Sequence, residues 1–212
     1  MNKSLSFALL ALAFASSIPL KAHAQENQLR VRSDKQYKVK AKGGRVVVQD
    51  KSKPVRRALE EQYAKIAEAN KNKDLAALLA LRTRDFSVKM PNGETWSYEQ
   101  SAAYSKRAFE QVQSIISLSN TIETLTITDN EAAAVVHQQW SRMQMMKGKL
   151  RRVDTSAVQR ETWVNTPDGW RLKLIDDIHP GVWVVDGKRV DPSKPYDPDA
   201  PPYSPDESAP KK

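Results

Sequence analysis

The stretch that decides the fold runs from residue 158 to residue 178. It reads VQRETWVN (158–165), TPDG (166–169) and WRLKLIDDI (170–178). The two outer segments are rich in the β-branched and aromatic residues that favour strands. Between them, Pro167 has a φ suited to a turn, and Gly169 can adopt a positive φ without a steric clash. The stretch therefore predicts a β-hairpin, and we expect the preceding elements to pack on it.

The second strand of this hairpin alternates between apolar and polar residues. Leu172, Leu174 and Ile178 would share one face, as in a half-buried strand. The same alternation places Asp176 on that apolar face. Trp170 follows the turn directly, and we expect it to be largely buried against the helices.

Three helices are predicted upstream of the hairpin. Pro54 stands at a position that tolerates proline in the first turn of a helix. Asp74 can cap a short second helix. Ser97 and Gln100 form a capping-box pattern at the start of the third.

Long strands follow the third helix. The apolar period changes to two near residue 115, and the apolar face swaps near Glu123, which suggests a bulge or a bend. Further strands are expected at 133–146 and 152–165. The predicted fold class is α+β: a cone-like curved antiparallel sheet with three N-terminal helices that enclose a pocket. We expect the segment 179–181 (His-Pro-Gly) to end the last strand, and Asp-Gly at 186–187 to turn a small hairpin.

The N-terminus resembles a secretory signal. A positive segment precedes an apolar run, and Ala-His-Ala at 22–24 offers an A-x-A cleavage pattern. We expect cleavage after Ala24 and a periplasmic or secreted protein; a retained membrane anchor is the alternative. The chain has no cysteine, which excludes disulfides, a lipid-modified N-terminal cysteine, a thiol nucleophile and a thiolate metal site.

The net charge of +9 is concentrated in an N-terminal arm. Residues 25–57 are strongly basic, whereas residues 58–186 are close to neutral. The arm (25–53) can form a hairpin at its Gly-Gly pair, and it either binds an anionic envelope surface or is a solvated linker. The absence of aromatic residues interleaved with the charge disfavours nucleic acid.

The expected organisation has four parts. A signal peptide (1–24) and the basic arm (25–53) precede the folded domain (54–186). The remaining residues (187–212) are rich in proline and poor in aliphatic side chains, so we expect a disordered tail.

The order of elements resembles the nuclear transport factor 2-like superfamily, in particular its SnoaL-like branch of exported bacterial proteins. Two segments within residues 54–186 carry the resemblance: NKNKDLAALL (70–79) and E-T-W-V-x-x-x-x-D-G-W-R-L (161–172). The resemblance implies a cone-shaped fold with an apolar pocket. Members include isomerases, dehydratases, epoxide hydrolases, polyketide cyclases and binding modules, so the fold alone does not assign a function. We expect packing and turn residues in the second segment, and no catalytic residue.

Two residues are candidates for acid–base chemistry. Asp176 on the apolar face should have a raised pKa, and His137 lies in the middle of a predicted strand. The alternatives are structural: an ion pair of Asp176 with Arg142 or Arg160, and a packed histidine at position 137.

Large side chains on the predicted elements are the candidates for lining a ligand pocket, although such residues also form ordinary cores. They are Tyr63, Trp96, Tyr104, Trp140, Arg142, Met143 and Trp163. No histidine pair has metal-ligand spacing, no glycine-rich phosphate loop follows a strand, and no Gly-x-Ser-x-Gly motif occurs. We therefore expect neither a metal nor a cofactor.

These observations favour a binding module that holds a small apolar or amphipathic molecule, or a protein partner, in its concave pocket. A small isomerase, dehydratase or hydrolase that uses Asp176 and His137 is the alternative. A third possibility is a homodimer through the sheet face, with the basic arm on the cell envelope.

Overall fold

The computed structural model describes residues 37–42, 45–50, 52–191 and 194–204. The predicted signal peptide and the end of the tail lie outside these residues. Within the basic arm, strands β1 (Tyr37–Lys42) and β2 (Arg45–Asp50) pair antiparallel, as expected for a hairpin.

The structure has the three predicted helices, and the second and third begin at their predicted caps. The helices are α1 (Ser52–Lys71), α2 (Leu75–Ala80) and α3 (Tyr98–Gln111). The Asp74 carboxylate accepts a hydrogen bond from the Ala77 amide at 2.9 Å. Ser97 and Gln100 form the reciprocal capping box. None of the helices in the described part of the chain combines the length and the apolar composition that a membrane crossing requires.

The helices pack on one curved sheet. Its strands are β3 (Arg82–Lys89), β4 (Thr95–Trp96), β5 (Val112–Thr128), β6 (Glu131–Met146), β7 (Lys149–Thr166), β8 (Gly169–Val185) and β9 (Lys188–Arg189). The order is β4-β3-β8-β7-β6-β5, with β9 on β8. The α+β prediction is confirmed. The expected bulge also occurs, as a register shift between Ile122 and Thr124.

The sheet is mixed, whereas the sequence predicted an antiparallel one. Strand β3 runs parallel to β8. Helix α3 and three long strands separate β3 from β8 along the chain, and a parallel pair requires such a long connection. No local sequence signal indicates whether two strands so far apart in the chain pair parallel or antiparallel.

The His-Pro-Gly segment does not end the last strand, contrary to our expectation. Strand β8 continues through Pro180, which pairs with Ala157 at a register shift. At Gly181 the backbone passes so close to Ser156 that a Cβ would clash with the serine hydroxyl. That hydroxyl accepts a hydrogen bond from the Val182 amide at 2.9 Å, so the serine side chain provides an acceptor for a backbone N–H group at the register shift. The Asp-Gly turn is confirmed, with φ of 49° and 81°.

The main core lies between α1 and the sheet. Trp163 is fully buried there with Leu59 and Phe86. Trp170 belongs to the same cluster and is 8% exposed, which confirms its predicted burial. A smaller cluster forms where Tyr196, in the proline-rich tail, packs on Trp183.

Candidate functional site

A cavity of about 80 Å³ lies between the three helices and the inner face of the sheet. Its walls are mostly apolar. The helices contribute Ile66, Leu78 and Phe109, and the strands contribute Leu118, Leu172 and Ile175.

A buried carboxylate lies among these apolar walls. Glu161 lines the cavity and is only 3% exposed. Its Oε2 accepts hydrogen bonds from the Tyr63 hydroxyl at 2.7 Å and from Trp163 Nε1 at 3.0 Å. Its Oε1 accepts one from Gln159 Nε2 at 2.7 Å. Three neutral donors therefore hold both carboxylate oxygens in place.

Strand geometry and one helix assemble this network. Residues 159, 161 and 163 alternate along β7 and so share one face of the sheet. Tyr63 comes from α1, 98 positions earlier in the chain. Its ring also meets the Trp163 ring edge to face, with centroids 5.4 Å apart.

The environment of Glu161 changes its acidity. Burial raises the pKa of the Glu161 carboxyl, and the three hydrogen bonds oppose that rise without cancelling it. Burial and the adjacent Glu161 raise the pKa of Tyr63, so the phenol stays protonated and donates. The cavity therefore contains a carboxyl group that holds a proton more readily than an exposed glutamate.

Sequence reasoning missed Glu161. It lies in the E-T-W segment from which we expected packing and turn residues only. A signal was present, because Glu161 alternates with Gln159 and Trp163 on one face of a predicted strand. The same argument drew attention to Asp176 instead.

Asp176 faces away from the cavity, so its predicted register is wrong. Trp163 is paired with Leu172, but Thr162 is paired with Leu174, which leaves Lys173 as an extra residue in β8. This β-bulge reverses the faces of residues 174–176, and a second register shift opposite Gln159 returns Ile178 to the core side, as predicted. As a result, Ile175 lines the cavity and Asp176 lies on the opposite face.

The alternative ion pair for Asp176 is confirmed. Arg160 Nε and Nη2 donate to the two carboxylate oxygens at 2.8 and 2.9 Å. The Arg160 side chain is 50% exposed and the Asp176 side chain only 9%, so a half-exposed arginine covers a buried carboxylate on the outer face of the sheet. The structural role, not the catalytic one, fits Asp176.

His137 is also outside the cavity. Its neighbours Val136 and Gln138 point inward, the first into the core and the second into the cavity wall. Strand alternation therefore places His137 on the outer face. The structure does not bring Asp176 and His137 to the pocket.

Of the seven predicted pocket residues, three line the cavity: Tyr63, Tyr104 and Trp140. Trp163 contributes indirectly, through its hydrogen bond to Glu161. Trp96 packs on the Tyr104 ring, with centroids 5.1 Å apart.

The remaining two predicted pocket residues do not line the cavity. Arg142 is completely buried, and its Cζ lies 4.9 Å from the centre of the Trp140 ring. Met143 is on the other face of β6, because its neighbours Arg142 and Gln144 point inward. Among the described residues, no group of three histidine, cysteine or acidic side chains is arranged to hold a metal.

Comparisons with known proteins give matches at the level of structure. No protein-family model matches the chain, and no curated protein matches its sequence. A putative dehydratase of the NTF2-like family from Streptomyces avermitilis is similar over 59% of this chain and 95% of its own, with 16% identity and a TM-score of 0.50.

Two further solved structures are similar. A putative scytalone dehydratase from Novosphingobium aromaticivorans matches 62% of this chain and 87% of its own, with 12% identity and a TM-score of 0.53. A hexachlorocyclohexane dehydrochlorinase from Novosphingobium barchaimii matches 62% and 90%, with 10% identity and a TM-score of 0.52. At these identities the likeness concerns the fold alone.

Proposed function

We propose that this chain, which has the nuclear transport factor 2-like fold, is a binding domain for a small, mostly apolar molecule that carries a hydrogen-bonding group. The solved structures described above confirm the fold that the order of elements resembled. The pocket supports the proposed function. The observation that carries the proposal is the Glu161 network on the wall of an apolar cavity.

The size and chemistry of the cavity support a small ligand. A cavity needs about 10–15 Å³ to hold one water molecule. A cavity of about 80 Å³ therefore accommodates a ligand of roughly six non-hydrogen atoms. The aliphatic walls favour an alkyl chain. A second polar pair, Gln138 Nε2 and Asn120 Oδ1 at 3.0 Å, also lines the cavity and can orient a polar group.

The hydrogen bonds of Glu161 favour binding over catalysis. Both of its oxygens already accept from protein donors, and the other two candidate acid–base residues lie on the opposite face of the sheet. A polar network that is fully satisfied before the ligand arrives is rigid and orients a ligand at little cost.

An acid–base enzyme is the second candidate function, because the pKa of the buried Glu161 is raised and the group lies in a cavity. In this proposal Glu161 takes the role expected of the Asp176 and His137 pair. Two similar structures described above are called dehydratases, and such reactions need a group that moves a proton.

Filling the cavity tests the binding proposal. Ala108 lines the cavity on α3, and Ala108→Leu adds three carbon atoms there. We expect butan-1-ol to give saturable NMR shifts at cavity residues in the wild type and not in this variant. Ala103→Leu is the matched control, since Ala103 is exposed on the same helix. If Ala108→Leu binds butan-1-ol as tightly as the wild type does, the cavity is not the binding site and the proposal is wrong.

We further propose that the protein is exported, and that its basic arm binds an anionic envelope surface. The support is the sequence of residues 1–57 alone. N-terminal sequencing of the exported protein should find Gln25 first; an intact Met1 would contradict export. A homodimer through the sheet remains a proposal, supported by Ile116 and Met145, which are exposed on its strands.

A further inference from the structure

Two neighbouring side chains on the inner face of β6 have hydrogen-bond donors without acceptors. Trp140 lines the cavity, is 6% exposed, and its Nε1 has no acceptor among the described residues. Arg142 is fully buried, and its Nη2 likewise has none. Buried donors without acceptors are rare in folded proteins and costly, so each one suggests a missing partner.

Arg142 also has no direct ion-pair partner among the described residues, although the charge of Asp154 acts on it at longer range and opposes the lowering of its pKa by burial. Its Nε donates to Gln144 Oε1 at 2.8 Å and its Nη1 to Thr155 Oγ1 at 3.0 Å, both neutral acceptors. No carboxylate of the described residues forms an ion pair with it. Burial lowers the pKa of Arg142 to about 10, so the guanidinium is still charged at neutral pH. A buried cation without an anion destabilises the site until an anion arrives.

The position of Arg142 brings its charge to the cavity. Residues 138, 140 and 142 share the inner face of β6, and the Arg142 guanidinium lies over the Trp140 ring, 4.9 Å from its centre. Tyr104, a further cavity residue, is close enough for the Arg142 charge to lower the pKa of its phenol, although burial raises that pKa overall. This end of the cavity therefore has a positive potential.

The other end of the cavity cannot serve an anion in the same way. Glu161 already accepts three hydrogen bonds and is itself acidic. Arg82 also lines the cavity, but it donates to Ser101 Oγ at 2.9 Å and is only partly buried. Among the described residues, the buried donors that lack an acceptor at this cavity are therefore Trp140 Nε1 and Arg142 Nη2.

We propose that the Trp140–Arg142 end of the cavity binds the carboxylate of a short-chain monocarboxylic acid. This inference rests on the proposed binding function and names the class of ligand. Trp140 Nε1 donates to the carboxylate, Arg142 neutralises its charge from behind the ring, and the alkyl chain lies along Leu118 and Phe109. A single negative charge complements the buried Arg142 guanidinium, and the cavity has room for about six non-hydrogen atoms.

Butyrate, which has six non-hydrogen atoms, and its neutral analogue butyramide test the inference by calorimetric titration of the purified protein. We expect the wild type to bind butyrate about ten-fold or more tightly than butyramide, because charge-assisted hydrogen bonds are the stronger ones. The 15N-labelled indole N–H of Trp140, assigned with Trp140→Phe, should shift on addition of butyrate.

Two variants at the site and one control locate the preference. Arg142→Met should remove the preference for butyrate over butyramide. Trp140→Phe keeps an aromatic ring, removes only the donor, and should reduce the preference several-fold. Arg160→Met removes an arginine from the outer face and should leave the preference intact. If Arg142→Met does not fold, two results test the carboxylate site: the loss of preference for butyrate in Trp140→Phe, and the shift of the Trp140 indole N–H on addition of butyrate.

The outcomes separate this inference from the proposed function. Equal affinities for butyrate and butyramide in the wild type would overturn the carboxylate site and leave the binding pocket in place. A preference that persists in both site variants would also overturn it. If neither compound nor butan-1-ol binds, the proposed binding function fails as well.

Discussion

Replacing Trp163 with alanine is expected to lower the free energy of unfolding by about 3–5 kcal/mol, the range found for buried aromatic residues. Trp163 is 0% exposed and is the largest fully buried side chain among the described residues. Its removal would leave a void next to Leu59 and Phe86 and would take one donor from Glu161. Urea denaturation at neutral pH measures the loss, which corresponds to a decrease in Tm of roughly 10 °C for a chain of this size.

Two controls divide this effect into packing and hydrogen bonding. Trp163→Phe keeps most of the ring but removes the indole N–H, and should cost about 1–2 kcal/mol. Trp96→Ala removes a partly exposed tryptophan from the edge strand β4, and should cost less than Trp163→Ala. A loss below about 1 kcal/mol for Trp163→Ala would contradict the placement of this ring in the core.

Replacing Glu161 with glutamine is expected to change the pH dependence of stability. The pKa of Glu161 is raised in the folded state, so folding favours the protonated carboxyl. Its contribution to stability is fully present below the pKa of the unfolded chain, about 4.5, and is lost as pH rises through the folded-state pKa. Relative to Glu161→Gln, the wild type should therefore become less stable as the pH rises from 4 towards neutral.

The structure explains why glutamine is tolerated at position 161. The amide oxygen can accept from Tyr63 and Trp163, and the amide nitrogen can face Gln159 after that side chain turns its own amide. Glu161→Ala cannot do this: it leaves three buried donors unpaired, at about 1–3 kcal/mol each, and opens a void. Denaturation from pH 4 to 8 compares the variants, and a pH-independent difference between wild type and Glu161→Gln would show that Glu161 does not titrate in the fold.

The same variant separates binding from catalysis. If Glu161 moves protons for a ligand, the wild type should exchange the α-hydrogens of butanone with D2O faster than Glu161→Gln does. If the pocket only binds, the two proteins should exchange at the same background rate.

Local chemistry made much of the fold predictable. Asp74 and Ser97 cap helices by hydrogen bonds that span three residues, and the Asp-Gly turn needs a positive φ at two adjacent positions. Signals of this kind are complete within one segment of sequence. The second and third helices and this turn followed from them, and the long strands followed from the apolar period of two.

The candidate site was not predictable in the same way. A single extra residue at Lys173 determines that Asp176 lies outside the cavity, and strand alternation by itself cannot report a bulge. The importance of Glu161 depends on the Tyr63 hydroxyl, which only the packing of α1 on β7 brings within 2.7 Å.

The sequence by itself therefore determined the elements, their order and the α+β class, because these depend on contacts between residues close in the chain. Only the tertiary structure decided which polar side chains share the cavity. That choice depends on strand register, where one bulge at Lys173 places Ile175 on the inner face and Asp176 on the outer face, and on contacts across 98 positions.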